Sequence, residues 1–211
     1  MEKRPVRKAP RGVSRRDFIK GMGTGALGSA VLPGLLAQDA IPTKKGRVPV
    51  FDRKTIALTV NGTPRTLPVA ANETLLDVLR ERLELTGAKR VCDRGECGGC
   101  TVLLDGAPVY ACMTLAVRAD GRSVTTVEGL AKGAKLHPAQ EAFIEHDGYQ
   151  CGFCTPGFIM TTAGFLAANP SPSEASEDEI RHALSGNLCR CGNYAKIYKA
   201  VADAAGKMKG A

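Results

Sequence analysis

Apolar residues alternate along Ile56, Leu58 and Val60 and then stop at Asn61-Gly62. Period-two alternation followed by that dipeptide predicts a strand from Thr55 and a tight hairpin turn. Arg65 to Val69 is the returning strand. The period then changes: Leu75, Leu76, Leu79 and Leu83 fall on one side of a helix running from about Thr74 to Leu83, with Asn72 available as its cap. A second hairpin, Thr101–Leu104 and Pro108–Ala111, turns at Asp105-Gly106, and Val124–Val127 reads as a last strand. Two hairpins crossed by one helix make a small α+β unit of β-grasp type over residues 54–128.

Beyond Gly129 the periodicity is helical throughout. A short amphipathic helix occupies His137–Ile144. A longer apolar one occupies Thr155–Ala168, with Phe158, Ile159, Thr162, Phe165 and Leu166 at core spacing and Asn169-Pro170 ending it. Residues 170–175 are loop. Ser176-x-x-Glu179 is a capping box that opens a helix to about Ser185. Asn193 precedes a final helix carrying Ile197, Val201 and Ala205, which frays from Lys207. Residues 129–207 are therefore a small all-α bundle that follows the β-grasp unit.

Eight cysteines sit in two sets of four on this scaffold. Cys92, Cys97 and Cys100 have the x4 and x2 spacing of a plant-type [2Fe–2S] ferredoxin loop, and Cys112 follows at the end of the second hairpin. Gly95, Gly98 and Gly99 provide turns and let backbone N–H groups approach the sulfurs. Lys89, Arg90 and Arg94 offer positive charge beside a negatively charged cluster. The other set is Cys151-x2-Cys154 and Cys189-x-Cys191, each pair just before a helix start. The 34 residues between the pairs allow one helix out and one back, which brings both loops to the same end. Two helix N-termini would then favour thiolates there. On spacing alone the second set also describes a zinc site; disulfides and ordinary buried thiols are further alternatives.

The formal charge of +8 does not mark a nucleic-acid binder. Residues 1–20 hold eight basic residues against Glu2 and Asp17, leaving +2 for the rest of the chain and no basic stripe. Ser14-Arg15-Arg16-Asp17-Phe18-Ile19-Lys20 followed by the uncharged run Gly21–Ala37 resembles a twin-arginine (Tat) export signal. Residues 1–40 are expected to be that signal and 41–53 a linker, with the cut site undetermined. The Tat route carries proteins already folded, which suits a protein loaded with cofactors and destined for the periplasm. His137, His146 and His182 are scattered. Glu141, Glu145 and Asp147 fit a solvated helix face, and Phe153 and Phe158 are expected to pack and exclude water. Neither a nucleophile–base pair nor a phosphate loop nor a dinucleotide fingerprint occurs, so no catalytic residue is expected on this chain.

Four segments carry a family resemblance: Cys-Asp-Arg-Gly-Glu-Cys-Gly-Gly-Cys-Thr at 92–101, Ala-Cys-Met-Thr-Leu at 111–115, Gly-Tyr-Gln-Cys-Gly-Phe-Cys-Thr-Pro-Gly at 148–157 and Gly-Asn-Leu-Cys-Arg-Cys-Gly-Asn-Tyr at 186–194. Across residues 53–205 the chain resembles the small iron–sulfur subunit of the molybdenum hydroxylases, a family that includes xanthine dehydrogenase, aldehyde oxidoreductase and carbon monoxide dehydrogenase. The export signal and the Leu136–Gly148 stretch make it similar to the periplasmic aldehyde oxidoreductase members in particular. The resemblance implies an electron relay. A large partner subunit holds the molybdopterin cofactor and oxidises the substrate, expected to be an aldehyde converted to a carboxylic acid. Electrons pass to a cluster on Cys151, Cys154, Cys189 and Cys191, then to one on Cys92, Cys97, Cys100 and Cys112, and on to a flavin-binding subunit or cytochrome. Gln150 and Cys191 would approach the pterin. The same subunit of an isoquinoline-, xanthine- or carbon monoxide-type dehydrogenase, a free-standing ferredoxin and a zinc-stabilised structural or adaptor protein are the competing expectations.

Overall fold

The computed structural model describes residues 52–169 and 171–208. The expected export signal, the linker up to residue 51, Pro170 and the chain end from 209 lie outside them. Pro49–Ala211 form one compact unit.

Five strands make a single mixed sheet in the order β2-β1-β5-β3-β4: β1 Arg53–Val60, β2 Thr63–Ala70, β3 Thr101–Leu104, β4 Ala107–Tyr110 and β5 Ser123–Thr125. β1 and β2 are antiparallel with Val60 opposite Thr63, so the loop is the two residues Asn61 and Gly62, both at positive φ (50° and 78°). β3 and β4 repeat the device with Asp105 and Gly106 at 52° and 83°. Both are two-residue turns with left-handed central residues, which match the twist of the strands they join. The central strand β5 is parallel to β1 and antiparallel to β3. Each sheet strand therefore lies where the alternation put it, although β5 is short and Val127–Gly129 forms a 3-10 turn instead of its end.

The first helix departs from expectation. α1 spans Leu75–Asp77 and continues directly as a π-helical turn, Val78–Arg82. Its cap is Thr74, not Asn72: Thr74 Oγ1 accepts from the Asp77 N–H, and the Asp77 carboxylate accepts from the Thr74 N–H. The reciprocal pair satisfies two end groups at once, which a lone Asn72 two residues earlier could not do. The next N–H groups, those of Leu75 and Leu76, donate to the carbonyls of Thr114 and Ala111. The helix start is thereby tied to the segment that carries Cys112. Leu75, Leu76, Val78 and Leu79 are fully buried with Ile56, Val69, Val102 and Val124 in the sheet's core.

The helical half comprises α2 Pro138–Glu145, α3 Thr155–Ala168, α4 Glu177–Ala183 and α5 Tyr194–Lys207. Ser176 and Glu179 form the expected capping box. Pro172–Glu174 is a 3-10 turn inside the expected loop. α3 is buried on nearly every side, whereas α5 is amphipathic and buries Ile197, Ala200, Val201, Ala204 and Ala205. These residues, with Phe143, Phe158, Leu166, Ile180 and Leu184, make a second core. A third, small cluster joins the halves: Leu103 of β3 against Met160 and Ala163 of α3. At the same seam a methyl group on Gly157 would lie 2.2 Å from the Gly98 carbonyl oxygen, and one on Gly164 would lie 2.9 Å from Pro108. Glycine is required at Gly157 because helix meets backbone there.

Candidate metal centres

The loop of the first quartet folds back on itself. Asp93, Gly95 and Gly98 have φ of 55°, 78° and 66°. These reversals turn the N–H groups of Arg94, Glu96 and Cys97 toward the Cys92 sulfur, with Glu96 N at 3.3 Å. Gly99 does not adopt positive φ; it is small because a side chain would strike Val91. The β3–β4 pairing then places Thr101 opposite Tyr110, and the Ala111 N–H donates to the Cys100 carbonyl. Cys100 and Cys112 thus meet at one end of the hairpin, both buried.

The basic side chains also have partners in the loop and beside it. Arg90 is bound to Asp77 at 2.6 Å and to Asp93 at 3.1 Å. Lys89 Nζ donates to the Thr86 carbonyl, and Arg94 Nε donates to the Cys92 carbonyl. They brace the loop, and the donors that face the sulfur of Cys92 are backbone N–H groups.

The second quartet gathers at the starts of α3 and α5. Gly152 at φ 78° turns the first loop, and Cys154 occupies the cap position of α3. Cys189 Sγ accepts from the Asn193 N–H at 3.4 Å, at the start of α5, and the Cys189 N–H donates to the Tyr194 hydroxyl. Asn193 Nδ2 holds the Asp147 carbonyl at 2.9 Å, and Gln150 Nε2 reaches Asn193 Oδ1 at 3.4 Å. Gln150, Cys151 and Cys191 are all exposed.

Within each quartet the thiols influence one another most strongly in two pairs: Cys92 with Cys97, Cys100 with Cys112, Cys151 with Cys191 and Cys154 with Cys189. Among the described residues, three ligand atoms within 4.8 Å of one another occur at Glu145, His146 and Asp203, and no three sulfurs come that close. A tetrahedral zinc ion with Zn–S near 2.3 Å would hold all four sulfurs about 3.8 Å apart. Two separated pairs instead suit two metal ions, each taking two thiolates, as in a binuclear iron–sulfur core. All eight cysteines are free thiols, so the disulfide alternative fails as well. At Glu145 and Asp203 the ammonium group of Lys207 already sits where a cation would, 3.0 Å from Asp203.

Thiol acidity follows the same division. At Cys92 burial works against ionisation, but the N–H groups of Arg94, Glu96 and Cys97 outweigh it and bring the pKa down to about 7. Cys151 is lowered as well, first by the N–H of Phe153. Burial pushes Cys100 and Cys154 up to about 12. The expectation that the helix N-termini favour thiolates therefore fails at Cys154, where desolvation dominates. It fails at Cys191 too: the Cys151 N–H lowers it, but the neighbouring Cys151 thiol and burial raise it further.

The remaining expectations divide. His137 caps α2, accepting from the Ala139 N–H through Nδ1. His146 lies 3.4 Å from Asp203, and His182 is exposed. Glu145 and Asp147 pair with Lys207 and Lys196 on α5. Phe158 is fully buried, and Phe153, 51% exposed, lines a pocket with Cys97, Cys151 and Cys154. Sequence reasoning missed Tyr110 and Asn187, which bridge the two halves, and Thr161, which holds the Asn187 amide from within the helical half. Asn187 lies in a quoted motif, yet nothing in the sequence names its partner.

Comparison with known proteins agrees with this arrangement. Residues 58–126 match the 2Fe-2S iron-sulfur cluster binding domain family, and residues 126–202 match the [2Fe-2S] binding domain family. The chain belongs to the iron–sulfur subunits of the molybdenum hydroxylases, and it carries two [2Fe–2S]-binding domains. It is 43% identical over 209 residues to the aldehyde oxidoreductase iron-sulfur-binding subunit PaoA of Escherichia coli (strain K12), covering 93% of this chain and 90% of that one. It is 54% identical over 157 residues to the nicotine 6-hydroxylase small subunit of Paenarthrobacter nicotinovorans, covering 74% and 93%. Among solved structures it resembles quinoline 2-oxidoreductase from Pseudomonas putida 86, with a TM-score of 0.69 and 47% identity over 74% of this chain and 96% of that one. Aldehyde oxidoreductase from Desulfovibrio desulfuricans ATCC 27774 gives a TM-score of 0.70 and 44% identity, but this chain spans only 17% of that polypeptide.

Proposed function

We propose that this chain is the electron-relaying subunit of an exported aldehyde-oxidising enzyme. The observation that carries the relay is the pairing of eight thiols into four couples on adjoining loops. Cys92, Cys97, Cys100 and Cys112 would hold one [2Fe–2S] cluster in a β-grasp domain, residues 54–128. Cys151, Cys154, Cys189 and Cys191 would hold the other in the helical domain, residues 129–207. When bound, the clusters supply one-electron transfer, and the protein's own part is to hold them in place and tune their surroundings.

The outer face of the second quartet suits a partner. Gln150, Cys151 and Cys191 are exposed there beside Tyr149, Phe153 and Leu188, three large apolar residues each more than 40% exposed. A patch of that kind is covered in an assembled protein. We assign it to the large molybdopterin-binding subunit, with Gln150 and Cys191 nearest the pterin. Cys97 lies toward the second quartet, and the Cys92 side of its loop would face the onward acceptor, a flavin-binding subunit or a cytochrome.

An aldehyde as substrate and a periplasmic location draw support from the leading segment. The alignment to the E. coli aldehyde subunit covers more of this chain than residues 49–211 can supply, so it extends into the first 48 residues. The alignment to the nicotine-hydroxylating relative is shorter. Replacing Arg15 and Arg16 by Lys tests export: the protein should stay in the cytoplasm, and periplasmic activity at the original level would contradict the reading. Purification from the native source should yield a complex with a large pterin-bearing chain that reduces an electron acceptor when given aldehydes; failure with every aldehyde but turnover of an N-heterocycle would move the substrate assignment.

A further inference from the structure

The two cysteine loops touch through a small hydrogen-bonded knot. The Leu188 N–H donates to the Cys97 carbonyl at 3.0 Å. One residue away on each side, Asn187 Nδ2 donates to the Gly98 carbonyl at 3.2 Å. The other end of the Asn187 amide accepts from the Thr161 hydroxyl at 2.9 Å, and its backbone N–H is held by the Leu184 carbonyl. Tyr110 closes the edge by donating to the Gly186 carbonyl at 3.1 Å.

We infer that Asn187 is the positioning residue for electron transfer between the two clusters, a role that rests on the ligand assignment proposed above. Asn187 is 3% exposed, so its amide has no water to fall back on. Both of its polar atoms are satisfied, one by each half of the molecule. A buried amide satisfied on both ends defines one orientation, because releasing either end leaves an unpaired buried polar group. Gly98 has no side chain because a methyl group would stand 2.4 Å from Asn187 Nδ2. Gly157, three residues beyond Cys154, presses on the same carbonyl from α3. Asn187 thereby fixes where Leu188 meets Cys97.

That meeting matters because of what lies on either side of it. From Cys97 Sγ the chain runs through Cβ, Cα and the carbonyl to its oxygen. Across one hydrogen bond, the Leu188 backbone runs directly into Cys189 and its Sγ. Only that bond interrupts a covalent path between a ligand of one quartet and a ligand of the other. A single electron crossing it oxidises one centre and reduces the other by one, with no proton moved and no bond broken. Asn187 supplies no ligand to either quartet and would act by keeping the donor and acceptor of this bond in register.

The test uses the intact, cluster-loaded protein reduced with dithionite. Electron paramagnetic resonance then reads two separate things: the g-values of each centre and the splitting that arises from magnetic coupling between them. Asn187→Ala should retain iron, sulfide and both sets of g-values, yet lose most of the splitting and slow electron equilibration between the centres. Thr161→Val, which frees only one end of the amide, should weaken the splitting without abolishing it. Full splitting in a folded Asn187→Ala protein would overturn the inference. If that variant does not fold, Thr161→Val decides, and an unchanged splitting there overturns it equally. Absence of iron and sulfide from the unsubstituted protein is a different failure, since it removes the ligand assignment itself.

Discussion

The two quartets are assembled from different elements, a hairpin and its loop in one case and two helix starts in the other, yet they share a layout. Each has an inner pair, Cys100 with Cys112 or Cys154 with Cys189, and an outer pair, Cys92 with Cys97 or Cys151 with Cys191. Burial raises an inner thiol in both quartets, and backbone N–H groups lower an outer one in both. They differ in exposure of the outer pair. Cys92 and Cys97 are half-buried, whereas Cys151 and Cys191 stand exposed among apolar side chains. The hairpin site is nearly complete within this chain, and the helical site is left open on the side where we place the partner.

The strongest way to break the comparison is to remove one ligand at a time. Cys154→Ser should remove the helical cluster, about two of the chain's four irons, and leave the other spectrum intact. Cys100→Ser should do the reverse. Loss of both centres in either variant, measured by iron content and electron paramagnetic resonance, would show that they are not separate units. The seam comes next. Gly157→Ala forces a methyl into the Gly98 carbonyl and should cost about 3 kcal/mol, at the upper end for overpacking, because backbone cannot swing aside. Met160→Ala at the same seam should cost about 2–5 kcal/mol, read as a lower denaturation midpoint at unchanged slope.

Thiol reactivity sharpens the inner–outer division. In metal-free protein, alkylation at Cys92 should rise through pH 7 and level off, following its pKa of about 7. Cys151 should also react early, and Cys100 and Cys154, pushed to about 12, should remain protonated and slow. Peptide mass spectrometry after timed iodoacetamide treatment ranks them; equal rates at all four would dissolve the division. The smallest effect is expected at His137. Burial lowers its pKa below the ordinary 6.5, with Lys132 adding to the shift and Glu141 opposing it. The unfolded chain therefore takes up the proton first, and stability falls as pH drops below 6.5. The loss should be on the order of 1 kcal/mol, the worth of one helix cap, because the protonated ring cannot accept from the Ala139 N–H. His137→Asn, which keeps an acceptor that does not titrate, should flatten that part of the pH profile.

Local order was legible wherever chemistry and spacing coincide in a few adjacent residues. Asn61-Gly62 and Asp105-Gly106 demanded left-handed turns, Ser176 and Glu179 demanded a helix start, and Thr155–Ala168 appears at the expected bounds. The cysteine spacings likewise singled out the two segments that match iron–sulfur domain families. Less legible was anything decided by a distant partner. α1 becomes a π turn after Asp77, and its first N–H groups go to Ala111 and Thr114, far along the chain. Arg90 looked like a counter-charge for a cluster because its partner Asp77 lies thirteen residues away. Asn187 and Gly98 are separated by 89 residues, and neither carries a periodic signal. Phe153, expected to pack beside the second quartet, does line a pocket with Cys151 and Cys154, but its half exposure was not legible from its position in the motif.

The central claim is that the eight thiols serve two binuclear iron–sulfur centres. Metal and labile-sulfide analysis of the purified chain, taken with its electron paramagnetic resonance spectrum after dithionite reduction, tests it most directly. The account requires about four irons and four sulfides per chain and two distinguishable signals, each near one spin. Colourless protein that binds zinc and gives no signal would contradict it.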